Sequence, residues 1–378
     1  MKNQNPFLLT GYLSPEYFCN REQETEILIE AARNPISTAL FSIRRLGKTG
    51  LIHHVIHSLK KEKIISVYFD IMMTNSIHDF TYLFAKSFFN QSYNLTQKIF
   101  SKASQLFRSF SPSLTIDSMT GQLTLELKLI RSEEIYTDLE NIFDYIRKSN
   151  AQYLIAIDEF QQILNYKEKN FEAFLRSKIQ FINNVSFVFS GSKKNMLLSI
   201  FGSYSQPLWQ SCNFMELKSI ERQIYFDFIQ NKLKNYNREI TEEAFQFIYQ
   251  STRGITYYIQ LICNYLFYMA AKRIDLESAK VALSKILKER ESYYINYCSL
   301  LTSKQLAVLT GIAKEGSIDK PTGKDFIMSY KLGSASTVKS ALDVLIGKEV
   351  VYQEEGKYFL TDVLFSEWLK LRAAYGKY

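Results

Sequence analysis

Along the first two hundred positions, apolar residues recur in two alternating rhythms. Short unbroken runs at residues 37–43, 64–69, 153–157 and 185–189 have the length and the Val, Ile and Phe content of strands buried on both faces. Between them, residues 48–59, 77–89, 133–147 and 171–182 space their apolar side chains three and four apart, the period of a helix with one covered face. Strands alternating with helices predict a parallel sheet with both faces covered. Residues 113–129 break the rhythm: Leu114 and Ile116, then Leu123, Leu125, Leu127 and Leu129, alternate with other residues around Thr120-Gly121. That pattern predicts a β-hairpin inserted ahead of the third strand, either purely structural or a partner surface.

Beyond about Met215 the strand signals stop, and residues 221–234, 242–251 and 257–272 read as successive helices, forming a helical lid. From Leu301 the pattern changes again. Thr302 and Gln305 have the spacing of a capping box ahead of Leu306, Leu309 and Ile312. A short helix is expected at 324–330, and a third carries Val338, Ala341, Leu342 and Leu345 on one face. Residues 349–353 and 357–361 then flank a Glu-Gly turn. Three helices and a β-hairpin predict a winged helix. The expected division is therefore 1–214 for the sheet domain with its inserted hairpin, 215–298 for the lid and 299–378 for the winged helix.

Composition narrows the class. With 378 residues, 25 Tyr, 28 Phe and only 14 Gly and 6 Pro, the chain suits two or three compact domains without long disordered stretches. Cys19, Cys212, Cys263 and Cys298 show no paired spacing, which argues against a zinc knuckle or a disulfide framework. The opening MKNQNPF lacks the apolar core of a signal peptide, and the most apolar stretch, 257–271, is interrupted by Gln260 and Asn264. A cytoplasmic setting without a membrane partner is expected. The net charge of +8 is spread out: 11 basic against 9 acidic residues in 301–378, and 12 against 10 in 215–300. It gives only a weak pull towards a polyanion.

Chemistry concentrates in two segments. Gly-Lys occurs five times, but only at Gly47 is it followed by Thr, preceded by an apolar run and continued by a helical pattern. That is what a phosphate-binding loop requires: backbone N–H groups at a helix N-terminus, a Lys for the outer phosphates and a hydroxyl for a metal. Ser42, Arg44, Arg45, Leu46, Gly47, Lys48, Thr49 and Gly50 make up this candidate nucleotide site, with Ser42 where the loop pattern has its first glycine. Arg44 and Arg45 either approach phosphate oxygens or anchor the loop. The second segment, YLIAIDEF, is a buried strand that delivers Asp158 and Glu159 to the sheet's C-terminal edge. There Asp158 would hold magnesium opposite Thr49, and Glu159 would activate a water, with Lys48 and Ser192 as further catalytic candidates. Arg176 reads as an arginine finger or a solvated helical residue. His53 and His57 have metal-pair spacing without supporting ligands.

Six segments together, YFCNREQE (17–24), RRLGKT (44–49), IDEFQQI (157–163), FVFSGSKKNM (187–196), TRGITYYIQ (252–260) and LTDVLFSEWL (360–369), resemble the archaeal-type ATPase family, a branch of the STAND and AAA-like P-loop NTPases. The resemblance covers nearly the whole chain. It implies an ATP-binding, magnesium-dependent ATPase acting as a nucleotide-gated switch, with ATP between sheet domain and lid, and a winged helix that is repositioned. It also implies that Arg21 packs near the base and that 252–258 meets the nucleotide. Gly254-Ile255-Thr256 lacks the family's usual Pro, and the nuclease-like module of some relatives is not expected. Two other functions stay open, a winged-helix DNA-binding regulator and a nucleotide binder without hydrolysis. A protein partner is favoured over DNA for the winged helix, because residues 334–346 hold few cations.

Overall fold

The computed structural model describes residues 5–92, 106, 108–116, 121, 123–130, 134–269 and 272–374. The chain forms two compact units, one of Gly11–Lys218 and one of Ser219–Tyr378 together with the N-terminal stretch ending at Thr10.

The first unit opens with α1 (Glu22–Arg33), β1 (Thr38–Phe41), α2 (Lys48–Leu59), β2 (Ile64–Asp70) and α3 (Ile77–Ser92). A hairpin of β3 (Phe110–Ile116) and β4 (Leu123–Leu129) follows, then α4 (Ile135–Arg147), β5 (Gln152–Asp158), a 3-10 helix at Phe160–Asn165, α5 (Phe171–Ile179), β6 (Val185–Gly191), α6 (Lys194–Phe201) and β7 (Asn213–Glu216). Five strands pair in the order β2-β5-β6-β1-β7, all in parallel. The register sets Asp70 beside Asp158 and Phe41 beside Gly191, so the C-terminal ends of these strands lie side by side.

Alternation along β5 shows why the sheet is covered twice. Tyr153, Ile155 and Ile157 enter a cluster rich in phenylalanine, with Phe80, Phe84, Phe143 and Phe187. Leu154 and Ala156 face the opposite cluster, built with Leu28 and Ala32 of α1 and Leu51, Ile52 and Val55 of α2. A strand with both faces buried has no polar side to alternate with, and it therefore reads as a continuous apolar run.

The hairpin strands pair antiparallel with Leu114 opposite Leu125; Thr120 of the expected turn lies outside the described residues. Asn90 of α3 borders β4: its side-chain amide donates to the Leu125 carbonyl (3.3 Å), and its oxygen accepts from the Leu125 N–H (2.7 Å). At the base of the hairpin, Asp138 of α4 is fully buried and accepts from the N–H groups of Arg108 (2.7 Å) and Ser109 (2.8 Å).

The second unit contains α7 (Arg222–Lys234), β8 (Glu239–Ile240), α8 (Glu242–Ser251), α9 (Thr256–Met269), β9 (Arg273–Ile274), α10 (Leu276–Glu289) and α11 (Glu291–Ser299). Phe7 packs edge-on against Phe267 of α9, and Asn5 donates to the Asn264 carbonyl. The winged helix follows as α12 (Ser303–Glu315), α13 (Lys324–Ser329), α14 (Ala335–Gly347), β10 (Val351–Glu354), β11 (Lys357–Leu360) and α15 (Val363–Ala374). Thr302 and Gln305 form the reciprocal capping box. Helical region and winged helix meet through Arg253, which donates to the Leu360 carbonyl (2.6 Å) and lies over the Phe359 ring, and through Tyr258, which donates to Asp362 (3.2 Å).

One strand at the boundary is not among those expected, and the expectation that strand signals stop beyond about Met215 is corrected inside the helical region. Residues 213–216 form β7, which pairs with β1, and β8 pairs with β9 inside the helical region. Both are short, and β7 has one buried position in four, too few for a periodicity signal.

Asp138→Ala should leave two N–H groups without an acceptor and cost on the order of 2 kcal/mol or more of unfolding free energy. Urea denaturation against wild type measures this, and an unchanged midpoint would assign the hairpin's anchorage to its apolar contacts alone.

Candidate functional site

β1 ends at Phe41, and the six residues that follow turn the chain into α2. Two of them are left-handed, Arg45 (φ 68°) and Gly47 (φ 108°). Gly47 is the residue before the helix, and the absence of a Cβ makes that conformation cheap. The N–H groups of the first turn, which includes Lys48, Thr49 and Gly50, have no acceptor within the helix and give that end a partial positive charge. The loop is thereby shaped to receive an anion.

Lys48 is buried and points back across the loop. Its Nζ donates to Ser42 Oγ (3.1 Å) and to the carbonyls of Ser42 (3.3 Å) and Ile43 (3.5 Å). Burial pulls its pKa below the ordinary lysine value, while Glu159 and Asp158 oppose that shift and Arg44 adds to it. Ser42, which replaces the expected glycine, thus supplies a hydroxyl that receives the ammonium, and it donates its own proton to the Ile43 carbonyl (2.8 Å).

Across the sheet edge, Thr49 Oγ1 donates to Asp158 Oδ2 at 2.7 Å, a length typical of a hydroxyl on a carboxylate. Tyr68 of β2 donates to the same oxygen (3.1 Å), and the Glu159 N–H donates to Oδ1 (3.0 Å). Burial and the carboxylates of Asp158 and Asp70 push the Tyr68 hydroxyl far above its usual range, so it remains a donor. Asp70, in register with Asp158, has its carboxyl raised chiefly by burial. Thr49 and Asp158 are hard oxygen ligands in contact, which suits magnesium, a cation that takes one or two carboxylates and fills its remaining positions with water and phosphate. Among the described residues no group of three or more His, Cys, Asp or Glu could form an all-protein metal cage.

Glu159 follows in a left-handed conformation (φ 54°). Its Oε2 accepts from Ser192 Oγ (2.9 Å) and from the Gln161 amide, and Arg44 Nε donates to Ser192 Oγ at 3.5 Å. Lys48, Thr49, Asp158, Glu159, Ser192 and Arg44 are therefore one linked group at the C-terminal edge of the sheet. Arg45 is exposed, while Leu46 is buried.

Other candidates lie elsewhere. Arg21 uses its guanidinium on Glu24 (2.8 Å) and the Lys218 carbonyl (2.6 Å). Arg176 donates to the carbonyls of Pro207 (2.6 Å) and Trp209 (3.0 Å), which is an anchoring role. His53 lies against the Tyr68 ring, and His57 packs near Tyr12. Thr252 is buried, with its hydroxyl on the Ile248 carbonyl. Sequence reasoning missed Tyr68, Asp70 and Gln161. The only available signals were their places at the end of an apolar run and two residues beyond Asp-Glu.

A family model described as "ATPase domain predominantly from Archaea" matches residues 18–262, and one described as "Probable winged helix domain" matches residues 292–371. No curated protein matches the sequence. Among solved structures, a Walker-type ATPase of Pyrococcus abyssi superposes with a TM-score of 0.66 at 14% identity, covering 97% of this chain and 99% of that one. The ORC2 protein of Aeropyrum pernix, in ADPNP-ADP complexes, gives 0.54 at 13% identity over 99% of both chains. The ORC1 protein of Aeropyrum pernix, in complex with DNA, gives 0.50 at 13% identity over 96% and 95%. At these identities the likeness establishes the fold: a parallel-sheet P-loop core, a helical region and a winged helix.

A lysine whose folded pKa is lowered binds fewer protons than in the unfolded chain, so stability rises with pH between the lowered value and the ordinary 10.5. Lys48→Met should accordingly stabilise the nucleotide-free protein near neutral pH, with the gain shrinking as the pH rises towards the ordinary lysine value of 10.5. Denaturant titrations of both proteins at two pH values check this, and a destabilised variant would mean that the loop hydrogen bonds outweigh the burial cost.

Proposed function

The chain belongs to the ATPase domain family predominantly from Archaea, and on that premise we propose that it binds ATP with magnesium and hydrolyses it slowly, as a nucleotide-gated switch. The order of loop, Asp-Glu strand, helical region and winged helix supports placing it in the AAA-like and STAND branch. The contact that carries the reading is Thr49 on Asp158 at 2.7 Å, directly beside the buried Lys48 at a helix N-terminus.

In this reading the first-turn N–H groups of α2 and the Lys48 ammonium receive the outer phosphates, with Arg44 and Arg45 at the exposed side of the loop. Thr49 and Asp158 would hold magnesium, which when bound neutralises charge on the phosphate oxygens. Glu159 takes a proton from a water whose oxygen bonds to the γ-phosphorus, while the bond to the bridging oxygen breaks and leaves ADP and phosphate. Ser192, hydrogen-bonded to both Glu159 and Arg44, connects the general base to the phosphate loop. Lys48 must leave Ser42 to meet phosphate, which supports modest affinity and slow turnover.

Isothermal titration and phosphate-release assays on wild type, Lys48→Ala and Glu159→Gln test the assignment. Lys48→Ala should weaken ATP binding by roughly a hundredfold, and Glu159→Gln should keep binding but lose about a hundredfold or more in turnover. Equal ATP affinity of wild type and Lys48→Ala would reject the site. Tight binding by wild type with no turnover would leave a nucleotide binder without hydrolysis.

A protein partner for the winged helix takes precedence over duplex DNA. α14 carries Lys339, with Lys348 just past its end, against Asp343, and both Val344 and Ile346 on it are exposed. With about two phosphates neutralised, the log-log salt slope of duplex affinity should be near −2. A fluorescence-anisotropy slope several times steeper would put DNA contact first.

A further inference from the structure

Gln161 is nearly fully buried, at 3% exposure, in the 3-10 helix that begins immediately after Glu159. Its Nε2 donates to Glu159 Oε2, the same oxygen that receives the Ser192 hydroxyl. Its own Oε1 is buried without a hydrogen-bond partner. Exchanging the amide's oxygen and nitrogen would aim a carbonyl oxygen at a carboxylate, acceptor against acceptor, so the chemistry of the pair fixes its orientation. The amide also needs space that another residue would take. A Cβ at position 191 would stand 2.1 Å from Gln161 Oε1 and 2.7 Å from Leu197 Cδ1, so only glycine at the end of β6 lets the side chain lie there.

Packing alone does not account for this residue. A buried carbonyl oxygen without a donor costs about 1–3 kcal/mol, which an apolar side chain of similar volume would avoid. The cost is accepted where the other end of the amide holds a charged group. Glu159 itself sits in the left-handed region at φ 54°, a conformation that costs a non-glycine residue roughly 1–2 kcal/mol and turns its carboxylate off the line of β5. Gln161 and Ser192 approach that carboxylate from two separate elements, and both engage Oε2. Neither of them engages Oε1, and that oxygen is the one available to accept a proton.

We propose that Gln161 is a positioning residue for the general base: with Ser192 it clamps one oxygen of Glu159 and presents the other to the attacking water, in the space that Gly191 leaves open. The inference rests on the hydrolytic reading of the site. Through Ser192 the clamp also reaches the phosphate loop, because Arg44 donates to the Ser192 hydroxyl.

The test measures ATP affinity, kcat and its pH profile for wild type, Gln161→Leu and Gln161→Glu. Gln161→Leu should bind ATP within about twofold of wild type and lose roughly tenfold to a hundredfold in kcat, the scale of a misplaced catalytic group. Gln161→Glu sets two carboxylates together, which cannot both be charged cheaply. As the pH falls from about 8.5 to about 6, its introduced carboxyl takes up a proton and becomes a donor to Glu159, so its kcat relative to wild type should rise, while the Leu variant's ratio stays flat. A Leu variant with wild-type kcat, or a flat ratio for the Glu variant, overturns the inference while leaving the hydrolytic reading intact. Wild-type protein that binds ATP without turnover overturns both. Should the Leu variant fail to fold, the Glu variant decides, since the pH trend of its kcat ratio to wild type is read on folded protein.

Discussion

The hydrogen bond from Thr49 to Asp158, 2.7 Å long and closed across 109 residues of chain, makes demands on nearly every element of the first unit. It forms only if α2 starts where β1 ends and if β5 ends level with it, and the two strands are not neighbours. β6 lies between them, so the height of Asp158 relative to the loop is fixed by two parallel registers, β1 on β6 and β6 on β5. Those registers are held by the apolar clusters on both faces of the sheet. A one-residue slip of β5 would send Tyr153, Ile155 and Ile157 to the wrong face and remove Asp158 from the loop in the same step.

The same geometry explains which parts of the site could be read from the sequence. The loop and the Asp-Glu strand were legible because each is a local pattern, a run of apolar residues that ends in polar ones of definite chemistry. The residues that serve them were not. Tyr68 and Asp70 reach Asp158 through sheet register, and Gln161 reaches Glu159 through a left-handed turn; neither leaves a mark on residue spacing. Ser42 shows the limit from the other side. Its departure from the loop pattern was visible, but its role as an acceptor for Lys48 depends on where the ammonium points. In the fold, long two-sided strands announced themselves, whereas β7 is four residues long and exists because the β1 edge was available to pair.

Electrostatics and backbone conformation act together here. Lys48 is held below its ordinary pKa by burial and supported by two carboxylates and a hydroxyl, an arrangement that costs stability until an anion arrives. Glu159 and Arg45 occupy left-handed conformations that their side chains disfavour. Strain and buried charge therefore gather within one sheet edge, and the phenylalanine-rich cluster beneath it provides compensating burial.

Arg253 and Tyr258 fasten the helical region to the winged helix through Leu360 and Asp362. Both acceptors sit where β11 passes into α15, so pulling the winged helix off the helical region at this seam breaks a bond to the backbone and a bond to a side chain together.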